Sequence, residues 1–309
     1  MADIVISEFM DLDAVEGLAA EFDVLYEPDL VDRPDELATA VAPARGLIVR
    51  NRTQVRGALL EVAASLRVVG RLGVGLDNID TATCDERGIQ VFPATGANSA
   101  SVAEYVMVGL MMAFRGAFGR HEAMLAGEWP RAASTGREIC GRKLGLIGFG
   151  NIARVVASKA QALGMTVVAH DPMIADDDPV WTENRVAPVN FDDVLQDVDA
   201  VSLHVPLTEQ THRLIDADAI HRMRSDAVLV NTARGGIVDE AALAKALADG
   251  LIAGAVLDVF DNEPMPADNP FVGVPNVILT PHIAGVTEES NVRVSRFAAD
   301  CVRRVLSEA

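Results

Sequence analysis

The stretch Leu144-Gly145-Leu146-Ile147-Gly148-Phe149-Gly150-Asn151-Ile152-Ala153 decides the fold. Four residues suited to a buried strand run into a Gly-x-Gly-x-x-Ala turn, after which Ile152, Val156, Ala160 and Leu163 recur at helical spacing. Strand, glycine turn and helix in that order build a phosphate-binding turn. Gly148 permits the tight bend, Gly150 lets backbone approach a pyrophosphate, and the small Ala153 lets the helix lie close to the strand. The helix N-terminus adds unpaired N–H groups and the positive end of its dipole. Asp171 stands 21 residues after Gly150, just past the apolar run 166–169, where an acid would meet the two hydroxyls of an adenosine ribose. A carboxylate there repels a 2′-phosphate and Pro172-Met173 offers no arginine to accept one, so NAD is expected over NADP. The alternative is a structural glycine turn beside an unrelated surface aspartate.

Working outward, apolar runs recur at 200–203, 227–230, 253–257 and 277–279. Being apolar at nearly every position, they suit strands covered on both faces, and with 144–147 and 166–169 they predict a six-strand doubly wound parallel sheet. Before it, short runs at 4–6, 24–26, 46–49, 68–69 and 89–92 alternate with amphipathic pieces at 14–22 and 55–66, a second βα series. Between the two lie a helical connector, about 99–118, and an irregular arm, 121–140, carrying Trp129 and Pro130. A last helix, about 288–306, is expected to pack back on the first series.

The chain has 309 residues, enough for two domains. Its 26 Lys plus Arg against 45 Asp plus Glu give a net charge of −19, which disfavours a non-specific grip on nucleic acid or an anionic membrane. Any anion it binds needs a local site. Cys84, Cys140 and Cys301 form no Cys-x-x-Cys pair, so neither a disulfide framework nor a thiolate metal site is expected, and buried thiols in a reducing compartment are. No apolar run reaches the roughly 18–20 residues of a membrane span, and Met1-Ala2-Asp3-Ile4 lacks the basic and apolar regions of a signal peptide. A cytoplasmic location is expected.

A second glycine cluster, Gly70-Arg71-Leu72-Gly73-Val74-Gly75-Leu76-Asp77-Asn78, follows a strand, but Asn78 is too large for close helix packing. Its N–H groups could cradle a carboxylate or simply form a turn. After the later strands come Asn231-Thr232-Ala233-Arg234-Gly235, Asp258, Asp261-Asn262-Glu263-Pro264 and Thr280-Pro281-His282-Ile283-Ala284-Gly285. Open parallel sheets bind ligands beyond the carboxyl ends of their strands, so Arg234, Asp258, Glu263 and His282 all fall on the productive edge.

With these segments in this order, the chain resembles the D-isomer-specific 2-hydroxyacid dehydrogenases along almost its whole length, departing only in Ala153 for the usual third glycine. The resemblance implies that Arg234 grips the substrate carboxylate and polarises the 2-carbonyl, that His282 is the acid/base, and that Glu263 orients and charges the imidazole. It implies that Asp258 meets the nicotinamide carboxamide and that Val74 and Gly75 donate N–H groups to the carboxylate. Cofactor contacts are expected from Gly148, Phe149, Gly150, Asn151, Ile152 and Asp171, and from Thr232, Ala233, Arg234, Asp258, His282 and Gly285. The implied fold is α/β, a Rossmann NAD domain (99–285, with connector helix and dimerisation arm) inserted in a flavodoxin-like substrate domain (1–98 and 286–309). A homodimer through the arm is implied too.

Residue types fit the chemistry. Oxidising a hydroxy acid at C2 requires a base for the hydroxyl proton, and histidine shuttles protons near neutrality. Arginine matches a carboxylate bidentately where lysine is a point charge. Arg50 and Arg52 end the third strand on one side of it, in a stretch similar to that of phosphoglycerate dehydrogenases, where basic residues meet the distal phosphate; Arg131 is a third candidate. They point to a substrate with a second anion, of the 3-sulfolactate or 3-phosphoglycerate type, and an enzyme of the short kind, without an appended regulatory domain, is expected. The alternatives are solvated arginines with a small uncharged-side-chain substrate (glycerate, lactate or glyoxylate), or a non-enzymatic NAD-sensing, corepressor-like protein. Formate dehydrogenase is disfavoured, since that family carries Gln where Glu263 stands.

Overall fold

The computed structural model describes residues 2–308. The chain divides into two compact units, Met1–Asn98 with Val286–Ala309, and Ser99–Gly285. In the first, β1 (Ile4–Ile6), β2 (Val24–Tyr26), β3 (Gly46–Val49), β4 (Val68–Arg71) and β5 (Gln90–Pro93) form a parallel sheet in the order β2-β1-β3-β4-β5. This is the flavodoxin-like order. Side chains alternate across each strand, so Val5, Leu47, Val49 and Val69 enter one core while Ile4, Ile6, Ile48 and Val68 enter another. The second core is closed by the helix Glu288–Ser307, which buries Ala298, Ala299, Val302, Val305 and Leu306 along one face.

The second unit holds β6 (Lys143–Ile147), β7 (Thr166–His170), β8 (Ala187–Pro188), β9 (Ala200–Leu203), β10 (Val228–Asn231), β11 (Gly254–Leu257) and β12 (Val277–Leu279). All pairs are parallel, in the order β12-β11-β10-β9-β6-β7-β8. Leu144, Leu146, Val228, Val230 and Val256 face one core, shared with the helices Ser99–Arg115 and Asn151–Ala162. Ile147, Val201, Leu229 and Leu257 face the other. Strand order proceeds outward to one side from β6 to β8 and to the other side from β9 to β12, so the carboxyl ends of the parallel strands β6 and β9 flank a switch point, where sheets of this kind open a ligand crevice.

The structure corrects the sequence reading in five places, the first being a short helix, His121–Leu125, at the start of the arm expected to be irregular. The seventh strand, β8, is absent from the expected six because two residues carry no periodicity, and its proline is tolerated at a sheet edge. The connector helix stops at Arg115 rather than 118, because Gly116 takes a φ of 59° just past its end. Only Ala58–Val62 of 55–66 is helical, since Gly57 has a φ of 50° and Val55 bridges to Ile79. Cys140 is exposed, whereas Cys84 and Cys301 are buried. Among the described residues no single helix is long and apolar enough to cross a membrane; a bent pair, Ser99–Arg115 with Phe118–Leu125, passes on composition, but Val102, Val106 and Leu110 of its first member lie in the core.

Candidate active site

The glycine turn lies between β6 and the helix Asn151–Ala162. Gly148 has a φ of 87°, and a Cβ there would come within 2.7 Å of the His204 carbonyl oxygen, so the turn excludes any side chain. At Gly150, by contrast, a Cβ would meet nothing within 4 Å. That open space before a twelve-residue helix is where a pyrophosphate would take the helix N–H groups. Asp171 is held by two backbone donors, the N–H of Phe149 at 2.8 Å and that of Met173 at 3.0 Å. The acid that should bind the ribose is thereby fixed beside the glycine turn. The N–H of Phe149 is engaged there, and its buried ring stacks on Trp181 at 4.8 Å, so Phe149 shapes the turn from below. Asn151 is exposed and Ile152 half-buried at the start of the helix. Thr232 Oγ1 is buried with no hydrogen-bond partner, a polar atom that a bound dinucleotide would satisfy. The residues fit NAD.

Beyond β10, buried Asn231 shapes the loop carrying Arg234: its Nδ2 donates to Arg234 O at 2.9 Å and its Oδ1 accepts from Ala233 N–H at 3.0 Å. The sequence marks this residue as the start of the segment carrying Arg234 but gives it no role of its own, although an asparagine closing an apolar strand is a signal. Beyond β12, His282 adopts a φ of 55°, a left-handed conformation that costs a non-glycine residue about 1–3 kcal/mol. Its N–H donates to Asp258 O at 2.8 Å and to Thr280 O at 3.1 Å. Asp258, 1% exposed, accepts at its carboxylate from Thr280 Oγ1 at 2.5 Å, Ile283 N–H at 2.9 Å and Ala284 N–H at 2.7 Å. The expected nicotinamide contact is therefore also a clamp on the His282 loop, which continues to the half-buried Gly285.

His282 Nδ1 lies 2.7 Å from Glu263 Oε2, and Glu263 Oε1 accepts from Phe260 N–H at 3.0 Å. With Nδ1–H donated to a carboxylate, Nε2 is left to exchange a proton with substrate. Burial would raise the Glu263 pKa, but the hydrogen bonds from His282 and Phe260 and the charges of His282 and Arg234 outweigh it and hold the carboxyl below the usual glutamate range. The charge of Arg234 thus reaches the His–Glu pair. Another histidine on this edge, His204, has its Nε2 3.0 Å from Ser202 Oγ, and desolvation pushes its pKa down to about 4. It stays neutral near pH 7, and its ring meets a serine where that of His282 meets a carboxylate.

In the first unit, Val74 and Gly75 are half-buried in the loop after β4. Past β3, buried Glu8 accepts from the N–H groups of Arg50 at 2.9 Å, Thr53 at 3.0 Å and Arg52 at 3.1 Å. Sequence reasoning missed Glu8. Arg50 is half-buried, with Nη2 donating to Asn291 Oδ1 at 2.9 Å; Arg52 is exposed and ion-paired with Asp32. Arg131 lies exposed in the arm, bordering a hollow with Met124, Trp129 and Pro130. Among the described residues no group of three or more His, Cys, Asp or Glu is placed to hold a metal.

Residues 107–284 match the family model described as D-isomer specific 2-hydroxyacid dehydrogenase, NAD binding domain. The chain belongs to the D-isomer-specific 2-hydroxyacid dehydrogenases. It is 53% identical to an (S)-sulfolactate dehydrogenase of Chromohalobacter salexigens over 99% of both chains. It is 39% identical to a D-3-phosphoglycerate dehydrogenase of Methanocaldococcus jannaschii, over 99% of this chain and 58% of that one. Among solved structures, the D-lactate dehydrogenase of Aquifex aeolicus complexed with NAD and lactic acid superposes with a TM-score of 0.86 at 27% identity, covering 99% of this chain and 95% of that one.

This 2-hydroxyacid dehydrogenase is an NAD-dependent oxidoreductase, and Asp171 should set its cofactor choice. Asp171→Ala is expected to narrow the preference for NAD over NADP, mainly by raising the KM for NAD, because it removes the ribose acceptor and the charge that repels a 2′-phosphate. Steady-state kinetics with both cofactors checks this. Wild-type efficiency with NADP equal to that with NAD would contradict it.

Proposed function

We propose that this dehydrogenase acts on a 2-hydroxy acid bearing a second anionic group, with 3-sulfolactate and its oxidised partner 3-sulfopyruvate as the foremost pair. The observation that carries the proposal is the 53% identity, end to end, with a sulfolactate dehydrogenase. It is supported by the loop after β3, where Glu8 and Asn291 fix the backbone and guanidinium of Arg50 in a chain whose net charge is −19.

NAD, when bound, accepts the hydride released from C2 in the oxidative direction. Arg234 pairs with the substrate carboxylate and draws electron density from the C2 oxygen, a task suited to a planar, permanently charged group. His282 Nε2 takes the hydroxyl proton during oxidation and returns it to the carbonyl oxygen during reduction. Glu263 keeps the ring aimed through Nδ1 and compensates its charge while that proton is held. In the first unit, Arg50 is the cation assigned to the distal anion.

Arg52 already faces Asp32, so the larger effect belongs to Arg50. Arg50→Ala should raise the KM for 3-sulfolactate by roughly 10- to 100-fold, the equivalent of one charge-assisted hydrogen bond of about 1.5–3 kcal/mol. Arg52→Ala should raise it less, and neither change should alter turnover of lactate or glycerate. Equal weakening of every substrate would return both arginines to a structural role.

The arm exposes Phe118 (66%), Leu125 (70%) and Trp129 (78%), an apolar patch more extensive than isolated surface residues require. We assign it to a two-fold homodimer. Light scattering at micromolar concentration should return about twice 32.8 kDa, and a monomer would contradict the assignment. Three free cysteines suit a cytoplasmic setting.

A further inference from the structure

We infer that Thr280 and Tyr105 are positioning residues for His282, acting through Asp258. This goes beyond the substrate assignment and holds for any 2-oxo acid the enzyme reduces. Asp258 closes β11 and grips the loop after β12 in two ways. Its carbonyl oxygen accepts from His282 N–H, and its carboxylate accepts from the N–H groups of the next two residues, Ile283 and Ala284. The left-handed φ of His282 is sustained by those bonds, since nothing in an isolated histidine favours it. Loss of the carboxylate's aim would free Ile283 and Ala284, let His282 relax, and carry its ring off Glu263.

What aims the carboxylate is a chain of two hydroxyls. Thr280 Oγ1 donates to Asp258 Oδ1 at 2.5 Å and lies within hydrogen-bond reach of the Tyr105 hydroxyl. A threonine hydroxyl has one proton. With that proton on Asp258, Thr280 can only accept from Tyr105, so the order is fixed as Tyr105 O–H to Thr280 O–H to Asp258. Tyr105 stands on the helix Ser99–Arg115, whose Val102, Val106, Met107 and Leu110 are buried in the core of the unit, so the chain is anchored on a rigid element. Thr280 contributes twice, because its carbonyl oxygen also accepts from His282 N–H.

The test uses the full-length enzyme, NADH, and whichever 2-oxo acid the wild type reduces fastest. Thr280→Val removes the donor at nearly constant shape, Thr280→Ser retains it, Tyr105→Phe removes one oxygen, and the pair is combined. Thr280→Val is expected to lower kcat about tenfold, the order of one lost hydrogen bond to a carboxylate, with the Kd for NADH from nicotinamide fluorescence rising by clearly less than kcat falls, about threefold at most, through the nicotinamide contact of Asp258. Thr280→Ser should restore most of kcat. Tyr105→Phe should lower kcat about threefold, and the double variant should be no slower than Thr280→Val, because Tyr105 acts only through the threonine oxygen. Wild-type kcat in Thr280→Val, multiplying effects in the double variant, or NADH affinity falling in step with kcat and unrescued by serine would each overturn the inference. If Thr280→Val fails to fold, wild-type kcat in Tyr105→Phe alone overturns it.

Discussion

His282→Ala is expected to lower kcat by about 10²- to 10⁴-fold in both directions, the range for loss of a positioned general acid/base, while leaving the Kd for NADH within a few-fold of wild type. The expectation follows from the geometry of the ring: Nδ1 is committed to Glu263 at 2.7 Å, so Nε2 alone is offered to substrate, whereas the ring of His204 meets Ser202 Oγ. Glu263→Gln should give a smaller loss, because an amide oxygen can still accept from Nδ1–H while the compensating charge is gone. The pair also has a pH signature. Glu263 is held below its ordinary pKa in the folded enzyme, so its contribution to stability is complete above the unfolded-state value of about 4.3 and is lost as pH falls through the lowered folded-state value. Thermal melts of wild type and Glu263→Gln should therefore converge at acid pH. Near wild-type turnover in His282→Ala would remove it from the proton path.

Arg234→Lys should be the second most damaging change. Lysine keeps the charge but presents no planar fork, so it cannot hold a carboxylate bidentately or approach the C2 oxygen at the same time. We expect kcat/KM to fall by 10²-fold or more for every 2-oxo acid, roughly the value of two charge-assisted hydrogen bonds, with NADH binding little affected. Uniformity across substrates separates this residue from Arg50, whose loss should be felt only where a second anion is present. A drop confined to sulfonated substrates in Arg234→Lys would exchange the two roles.

Much of the site was legible because parallel strands turn sequence order into spatial order. Arg234, Asp258 and His282 follow three consecutive apolar runs, so each had to reach the same sheet edge once those runs were read as strands. The Gly148–Asp171 pairing was legible for the same reason: both follow adjacent strands, β6 and β7. What escaped is chemistry that depends on long-range hydrogen bonding. Glu8 after β1 looks like a solvated acid until the loop 50–53, more than forty residues on, places three N–H groups on it. Tyr105 reads as one more apolar position in a core helix, and only the fold brings it to Thr280, 175 residues away. The left-handed conformation of His282 has no signal in its neighbours, and the loop that carries it is bonded to Asp258, on another strand.

The central claim, an NAD-dependent dehydrogenase for a 2-hydroxy acid with a second anion, is tested most directly by following NADH oxidation with 3-sulfopyruvate, 3-phosphohydroxypyruvate, hydroxypyruvate, pyruvate and glyoxylate side by side. The highest kcat/KM is expected with 3-sulfopyruvate and the lowest with the substrates that carry no second charge. A preference for pyruvate or glyoxylate, or no turnover of any member of the panel, would contradict it.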